Sequence, residues 1–371
     1  MFLHFVIDSF YSLSISQLLK KLHPDNRHVF IMMQHSGSSQ QYSILEELRS
    51  EALAISPSDQ NLYNRVSDTW LSQFEKIFIH GLYHSGLIHI LLSKISEKTL
   101  QKIYFIPYDG DVQLAVRFLR EGNKNAPNVM ALQKLINWVI PPGYQKVRSD
   151  FFASYDTSNC NFIELEPILL QPLQPIDIDE VEEFVKQRIS SDRTLKTTNI
   201  MVGHSCSSND NHIETLELLA PLAGENVRVI LPMSYHVDLD YRQKVMSIGQ
   251  SFFGDKLDIW TEYLSPSKYQ KKLMEVDIAV LNLRELSGLG ITTYLLMLGS
   301  KVYSRLEQLA DIQSFFDDTC HLFCLDDLRN KPQLILTPIE AEVALKNFNT
   351  VSNSRCSINK LSQNWEKLLS C

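Results

Sequence analysis

The stretch Asn199-Ile-Met-Val-Gly-His-Ser-Cys-Ser-Ser-Asn-Asp-Asn-His212 decides the fold. After Asn199, Ile200 to Val202 make an apolar run that completes a strand of four. Gly203 then opens a loop built almost wholly of hydrogen-bonding side chains. From His212 to Ala220 apolar residues recur at three and four, the spacing of an amphipathic helix. A strand that passes through a polar loop into a helix is the repeating unit of a parallel sheet covered by helices. Downstream the alternation predicts strand Val227 to Leu231, helix Asp238 to Ile248, strand Leu257 to Trp260 and helix Pro266 to Glu275. Strand Asp277 to Leu283, helix Ile291 to Leu298 and strand Lys301 to Tyr303 follow. Ser265 before Pro266 reads as an N-cap and first helical residue, as does Thr337 before Pro338. Upstream, strands are expected at Phe2 to Ile7, His28 to Met33, Lys76 to His80 and Lys102 to Ile106. Helices are expected at Tyr11 to Leu22, Ile44 to Leu53, Leu62 to Phe74 and Leu87 to Ile95. The class is α/β.

At roughly 150 residues per domain, 371 residues point to two domains. The composition shifts where Pro167, Pro172 and Pro175 precede the acidic run Asp177-Ile-Asp-Glu-Val-Glu-Glu183. The expected division is therefore residues 1–165, a linker at 166–190, a second unit at 191–350 and a terminal helix at 351–371 that crosses back onto the first unit. Two doubly wound units place a ligand cleft between them at the carboxyl ends of their strands. A net charge of -8 disfavours a nucleic-acid partner, which needs a broadly basic surface. No apolar run reaches the roughly 18 to 20 residues of a membrane span. Met1-Phe-Leu-His-Phe-Val-Ile7 runs into Asp8 and reads as a first strand, so the protein is expected in the cytoplasm. Cys160, Cys206, Cys320, Cys324, Cys356 and Cys371 are scattered, which argues against a disulfide framework. Cys320 and Cys324 flank His321, but no second ligand pair follows at zinc spacing, so no metal site is expected.

Four loops and one charged region could carry chemistry. Gly288-Leu-Gly-Ile-Thr-Thr293 lies between an apolar strand and an apolar helix. Its glycines let backbone approach a phosphate, whose charge the free amides of a helix start favour; the alternative is a tight strand-to-helix turn. The Gly203–His212 loop suits a sugar or phosphate, or else caps the helix that follows. His80-Gly81, with His84 nearby, and Tyr108-Asp-Gly-Asp111 each close a strand and could supply a general base, although Asp111 could equally cap a helix. Residues 112–148 set Arg117, Arg120, Lys124, Lys134, Lys146 and Arg148 against Glu121, a local balance of +5. Leu132, Leu135, Ile136, Trp138, Val139 and Ile140 lie among them. That mix fits either an element resting on anionic lipid or a core helix with a solvated basic face.

Several of these segments resemble glycosyltransferase family 56, the bacterial 4-acetamido-4,6-dideoxygalactose transferases of enterobacterial common antigen assembly. The resemblance rests on Ile200-Met-Val-Gly-His-Ser205 through Asn211-His-Ile213, on Val227-Arg-Val-Ile-Leu-Pro-Met-Ser-Tyr235, and on Trp260-Thr-Glu-Tyr-Leu264 with Tyr269. Arg284 through Gly290 with Gly299 extends it across roughly residues 199 to 330. His80-Gly81 and Gly110-Asp111 carry a weaker match in the first half. The resemblance implies a GT-B fold, two Rossmann-like domains across a cleft, with the donor held mainly by the second. It also implies a dTDP- or UDP-linked deoxyamino sugar, a polyprenyl-diphosphate-linked saccharide acceptor, and a peripheral place on the cytoplasmic face of the membrane, docked through residues 112–148. The sequence departs from the family at Asp210-Asn211-His212, at a longer Arg284 to Gly288 segment, and at Tyr108-Asp-Gly-Asp111, where the family carries tryptophan.

On that footing transfer needs no catalytic metal. Gly288, Gly290, Ile291 and Thr292 cradle phosphate through amides and one hydroxyl, and Arg284 adds charge. Gly203, Ser205, Asn211 and His212 contact sugar or phosphate, while Tyr235, Glu262 and Tyr263 line the nucleoside pocket. Asp111 is the first choice for the base and His80 the second. A sugar-nucleotide epimerase, or a catalytically silent subunit that partners a transferase, remain the alternatives.

Overall fold

A computed structural model describes residues 1–7, 10–25, 28–33, 53–55, 66–82, 84–140, 149, 158–165, 178–190, 196–235, 237–262, 264–316, 319–329, 331–354 and 358–370. The chain forms two compact units, Met1–Leu169 with Ile358–Cys371, and Leu170–Ser357.

The first unit is built on a parallel sheet ordered β3-β2-β1-β4-β5-β6-β7. Its strands are β1 (Phe2–Ile7), β2 (His28–Met33), β3 (Leu53–Ile55), β4 (Lys76–His80), β5 (Ile103–Ile106), β6 (Asn137–Ile140) and β7 (Asn161–Glu164). The second unit holds β8 (Thr198–Val202), β9 (Val227–Pro232), β10 (Leu257–Trp260), β11 (Ile278–Leu281), β12 (Lys301–Ser304) and β13 (Phe323–Cys324), ordered β10-β9-β8-β11-β12-β13 and again parallel. Both sheets start at a central strand, grow to one side, then jump across to the other. The reversals fall between β1 and β4 and between β8 and β11, where neighbouring loops leave the sheet in opposite directions and open a crevice. Strands β5, β6 and β11 are buried along their whole length, so they are apolar on both faces rather than alternating.

Two helices outside the strand alternation complete the units. Helix Ile358–Ser370 sets Leu361, Trp365 and Leu368, three and four apart, into the core of the first unit beside Val6 and Phe78. Lys76 Nζ donates to the carbonyls of Leu368 and Leu369, which satisfies orphan acceptors in that helix's last turn. Helix Ile178–Ser190 packs within the second unit. Its buried Arg188 donates to the carbonyls of Leu298, Met274 and Val276 and to Ser300 Oγ. Residues 178–190 of the expected linker are thus a helix of the second unit, and 166–177 lie outside the described residues.

Other expectations need correction. The apolar part of 112–148 is core, not a lipid-facing surface. The region folds as part of helix Asp109–Arg120, then helix Pro127–Lys134, then β6, which is sandwiched between β5 and β7. Leu132, Leu135, Trp138, Val139 and Ile140 are buried, Trp138 at 1% exposure. Arg117, Arg120 and Lys124 remain exposed, while Lys134 Nζ bonds the Leu92 carbonyl. Leu53 opens β3 rather than ending a helix, and the rest of that expected helix lies outside the described residues. Thr337-Pro338 follows a 3-10 turn, and the next helix opens at Ala341. Among the described residues no helix is long and apolar enough to cross a membrane.

Candidate donor site

The loop after β8 and the loop after β11 leave adjacent strands at the second unit's reversal point, and side chains stitch them together. Asn209 Nδ2 donates to the Glu285 carbonyl (3.0 Å) and to Ser287 Oγ (3.1 Å), while its Oδ1 accepts from the Glu285 amide at 2.7 Å. Asn211 Nδ2 donates to the Asn282 carbonyl (2.9 Å), and its Oδ1 accepts from Arg284 Nε at 2.7 Å. These bonds require Asn211 to sit at φ 46, ψ 41, the left-handed region that asparagine tolerates better than most residues. It is the one non-glycine with positive φ among the described residues. Arg284, otherwise exposed, is thereby oriented at the mouth of the loop pair.

Beneath the stitch lies Asp210, fully buried. Its Oδ1 accepts from the His204 amide at 2.7 Å and its Oδ2 from the Ser205 hydroxyl at 2.6 Å. His204 Nδ1 also lies 2.7 Å from Oδ1. Burial alone would raise the Asp210 pKa. The contacts from His204, the Ser205 hydroxyl and the nearby His212 outweigh it and hold the carboxyl below its ordinary value. His212 opens helix His212–Leu219, and its Nδ1 meets the Tyr241 hydroxyl at 3.2 Å. Burial drives its pKa down to about 4, against the pull of Asp210. Gly203 has φ +68 because a Cβ there would lie 2.4 Å from His212 Nε2 and 2.9 Å from Asp210 Oδ1.

Gly288 brings the phosphate-cradle candidate to this same place. It takes φ 66 and caps helix Leu289–Met297, and a Cβ on it would lie 3.0 Å from the His204 ring. The helix's first intrahelical bond runs from the Thr292 amide to the Gly288 carbonyl. The amides of Leu289, Gly290 and Ile291 therefore precede the helix's own ladder and carry the positive end of its dipole. Residues Gly290 to Met297 are all buried, while Gly288 and Leu289 are partly exposed. Thr292 differs from the expected hydroxyl contact: it is 1% exposed, and its hydroxyl donates back to Gly288.

The nucleoside-pocket candidates are only partly placed. Tyr235 is 51% exposed beyond β9, with its carbonyl accepting from the Cys206 amide. Glu262 is exposed beyond β10, and Tyr263 lies outside the described residues. The ring of Tyr269 meets Trp260 edge-on, and burial, with Asp210 in second place, raises its pKa.

The base candidates of the first unit are corrected. Asp111 lies inside helix Asp109–Arg120 at 1% exposure, and its oxygens accept from the amides of Leu82 and Val112. It ties the loop after β4 to the loop after β5. His80 is fully buried, its Nε2 3.3 Å from His4 Nδ1 and its ring 6.0 Å from that of Trp365. Burial pushes its pKa down to about 3. Neither side chain stands open to an acceptor hydroxyl. Sequence reasoning read Asn209 and Asp210 only as candidates to cap the following helix and His204 only as a hydrogen-bonding residue, and it missed Asp210 as the hub and Tyr241 beside His212. Its one usable signal was the density of polar residues in a single loop.

The two parallel, doubly wound units share their fold with glycosyltransferases of the GT-B class. Anabaena HepE in complex with UDP superposes with TM-score 0.66 at 12% identity, covering 100% of both chains. A glycosyltransferase from Rickettsia africae gives 0.61 at 13% identity over 99% of this chain and 97% of its own. A UDP-N-acetylglucosamine 2-epimerase assigned to Listeria monocytogenes gives 0.57 at 12% identity, covering 98% and 93%. Residues 175–332 match the family described as 4-alpha-L-fucosyltransferase glycosyl transferase group 56, and that stretch contains every residue of the stitched loop pair.

Proposed function

We propose that the second unit holds a dTDP- or UDP-linked deoxyamino sugar by its diphosphate at the Gly288 turn, and that the enzyme moves this sugar to a lipid-linked saccharide. The observation that carries the reading is the meeting of Gly288, at φ 66, with the Asp210-centred loop at the β8/β11 reversal. Amides of Gly290 and Ile291 and the guanidinium of Arg284 neutralise the leaving diphosphate, a charge-stabilising arrangement that requires no metal ligand. Ser205 and His212 shape the floor beside it. Tyr235 and Glu262, beyond the ends of β9 and β10, suit the nucleoside. The UDP bound by the Anabaena protein supports a nucleoside diphosphate donor.

On the acceptor side, contact with anionic lipid falls to the exposed Arg117, Arg120 and Lys124, because the apolar residues of that region are core. This is an electrostatic approach to the membrane's cytoplasmic face without insertion. The test incubates purified protein with dTDP- and UDP-sugars, with and without a polyprenyl-diphosphate-linked acceptor in neutral or anionic vesicles. Nucleotide release that depends on acceptor, faster on anionic vesicles, is the expected result. Conversion of the donor alone would replace transfer by epimerisation, and binding without turnover would indicate a silent subunit.

A further inference from the structure

Asn211 and Arg284 meet across the loop pair, and every polar group of the asparagine is already committed. Its Nδ2 donates to the Asn282 carbonyl at 2.9 Å, and its Oδ1 accepts from Arg284 Nε at 2.7 Å. Its carbonyl accepts from the Thr215 amide and hydroxyl, both at 3.1 Å, and its amide donates to the Ser208 carbonyl. With 7% exposure and a left-handed backbone the carboxamide has no room to swing, and a flip would set donor against donor and oxygen against oxygen. Arg284 is also held by its main chain, whose amide donates to the Asn209 carbonyl at 2.9 Å. One neighbouring loop thus fixes both its backbone and its side chain.

A long exposed side chain loses rotamer freedom when it is pinned, and an exposed hydrogen bond returns little, so stability gives no account of this arrangement. What the arrangement secures is the fork of the guanidinium. With Nε occupied its plane is set, and among the described residues Nη1 and Nη2 have no hydrogen-bond or ion-pair partner. Two parallel N–H donors on a rigid plane match two oxygens of one phosphate, a match that an ammonium on a flexible stem does not make.

We propose that Asn211 is the positioning residue of Arg284: it holds Nε so that the Nη1–Nη2 edge is offered to a phosphate of the nucleoside diphosphate, and it touches neither sugar nor phosphate itself. This rests on the donor reading above. The contact expected of Asn211 with the ligand is replaced by an indirect role. The diphosphate meets an arginine whose orientation is set before binding, so less freedom is lost when the ligand arrives. A ligand without phosphate gains nothing from the arrangement.

The experiment measures the affinity of the full chain for UDP and dTDP by calorimetry, and for uridine and thymidine by ligand-observed NMR. Asn211→Gly keeps the left-handed backbone and removes the acceptor, while Arg284→Lys keeps the charge at an exposed position and removes Nε. Circular dichroism verifies that each variant is folded. Each single variant is expected to weaken the diphosphates about tenfold and the nucleosides by less than about twofold. The double variant is expected to bind no more weakly than Arg284→Lys alone, because both changes break the same bond. Equal losses for diphosphates and nucleosides, or additive losses in the double variant, would overturn the proposal and leave the donor site standing. Wild-type diphosphate affinity in Arg284→Lys would do the same without any change at position 211. Absence of nucleotide uptake by wild type would overturn the donor site itself, and the role of Asn211 with it.

Discussion

Each unit gathers histidines near its central strands, and the two gatherings differ in the company they keep. In the first unit His4 lies between His80 (3.3 Å) and His28 (2.9 Å), stacked on Phe30 and Phe78 and covered by Trp365. In the second, His204 and His212 flank the Asp210 carboxylate just beyond a strand's carboxyl end. Burial without a counter-charge makes a histidine a neutral core side chain, while a fixed carboxylate at a strand end makes it an oriented polar group. Residue type is shared. Position relative to the strand end, and the company of an anion, separate structure from function.

The glycines offer the harshest way to break that contrast. Gly203→Ala would push a Cβ to within 2.4 Å of His212 Nε2 at a positive φ, and is expected to destabilise the second unit by about 3 kcal/mol or more in denaturant titration. Gly122→Ala in the first unit shares the positive φ (+77) but meets nothing within 4 Å, so only the backbone cost of about 1–2 kcal/mol is expected. Equal costs at the two glycines would mean that the Asp210 loop is far looser than its bonds indicate.

A pH titration of stability sharpens the same comparison from the other side. Burial holds His80 at about 3 and His4 well below its ordinary value, against roughly 6.5 in the unfolded chain. Between those limits the unfolded state binds more protons, so this contribution is present above about pH 6.5 and is lost as pH falls towards 3. A His80→Phe variant is expected to show a shallower loss of stability between pH 6.5 and 4 than wild type. An unchanged slope would remove the histidine chain as the source.

Asp111→Asn is the smallest of these effects. It weakens the charge-assisted bonds to the Leu82 and Val112 amides, and is expected to cost about 1–2 kcal/mol of stability while turnover per folded molecule persists. Loss of turnover in a stably folded variant would return Asp111 to the chemistry.

Much of the fold was legible because strand and helix lengths alternate so regularly from Thr198 to Ser304, and the Gly288 turn and the polar loop were both visible as exceptions within that pattern. What the pattern could not convey is depth. His80 ends a strand, which reads as a loop-facing position, but the C-terminal helix lays Trp365 beside it from far away in sequence. Trp138 and its neighbours read equally as a lipid-facing element or a core helix, because a strand buried on both faces has no period of its own. Asp210 was hidden for the converse reason. Its partners come from its own loop, but the need for a buried anion there arises only when β11 delivers Gly288 against His204.

The account's central claim is that a diphosphate sits on the Gly288 turn, and a crystal structure of the protein with UDP or dTDP bound tests it most directly. Phosphate oxygens are expected within hydrogen-bond distance of the Gly290 and Ile291 amides, with the Arg284 guanidinium nearby. A nucleotide seated elsewhere, with that helix start left bare, would contradict it.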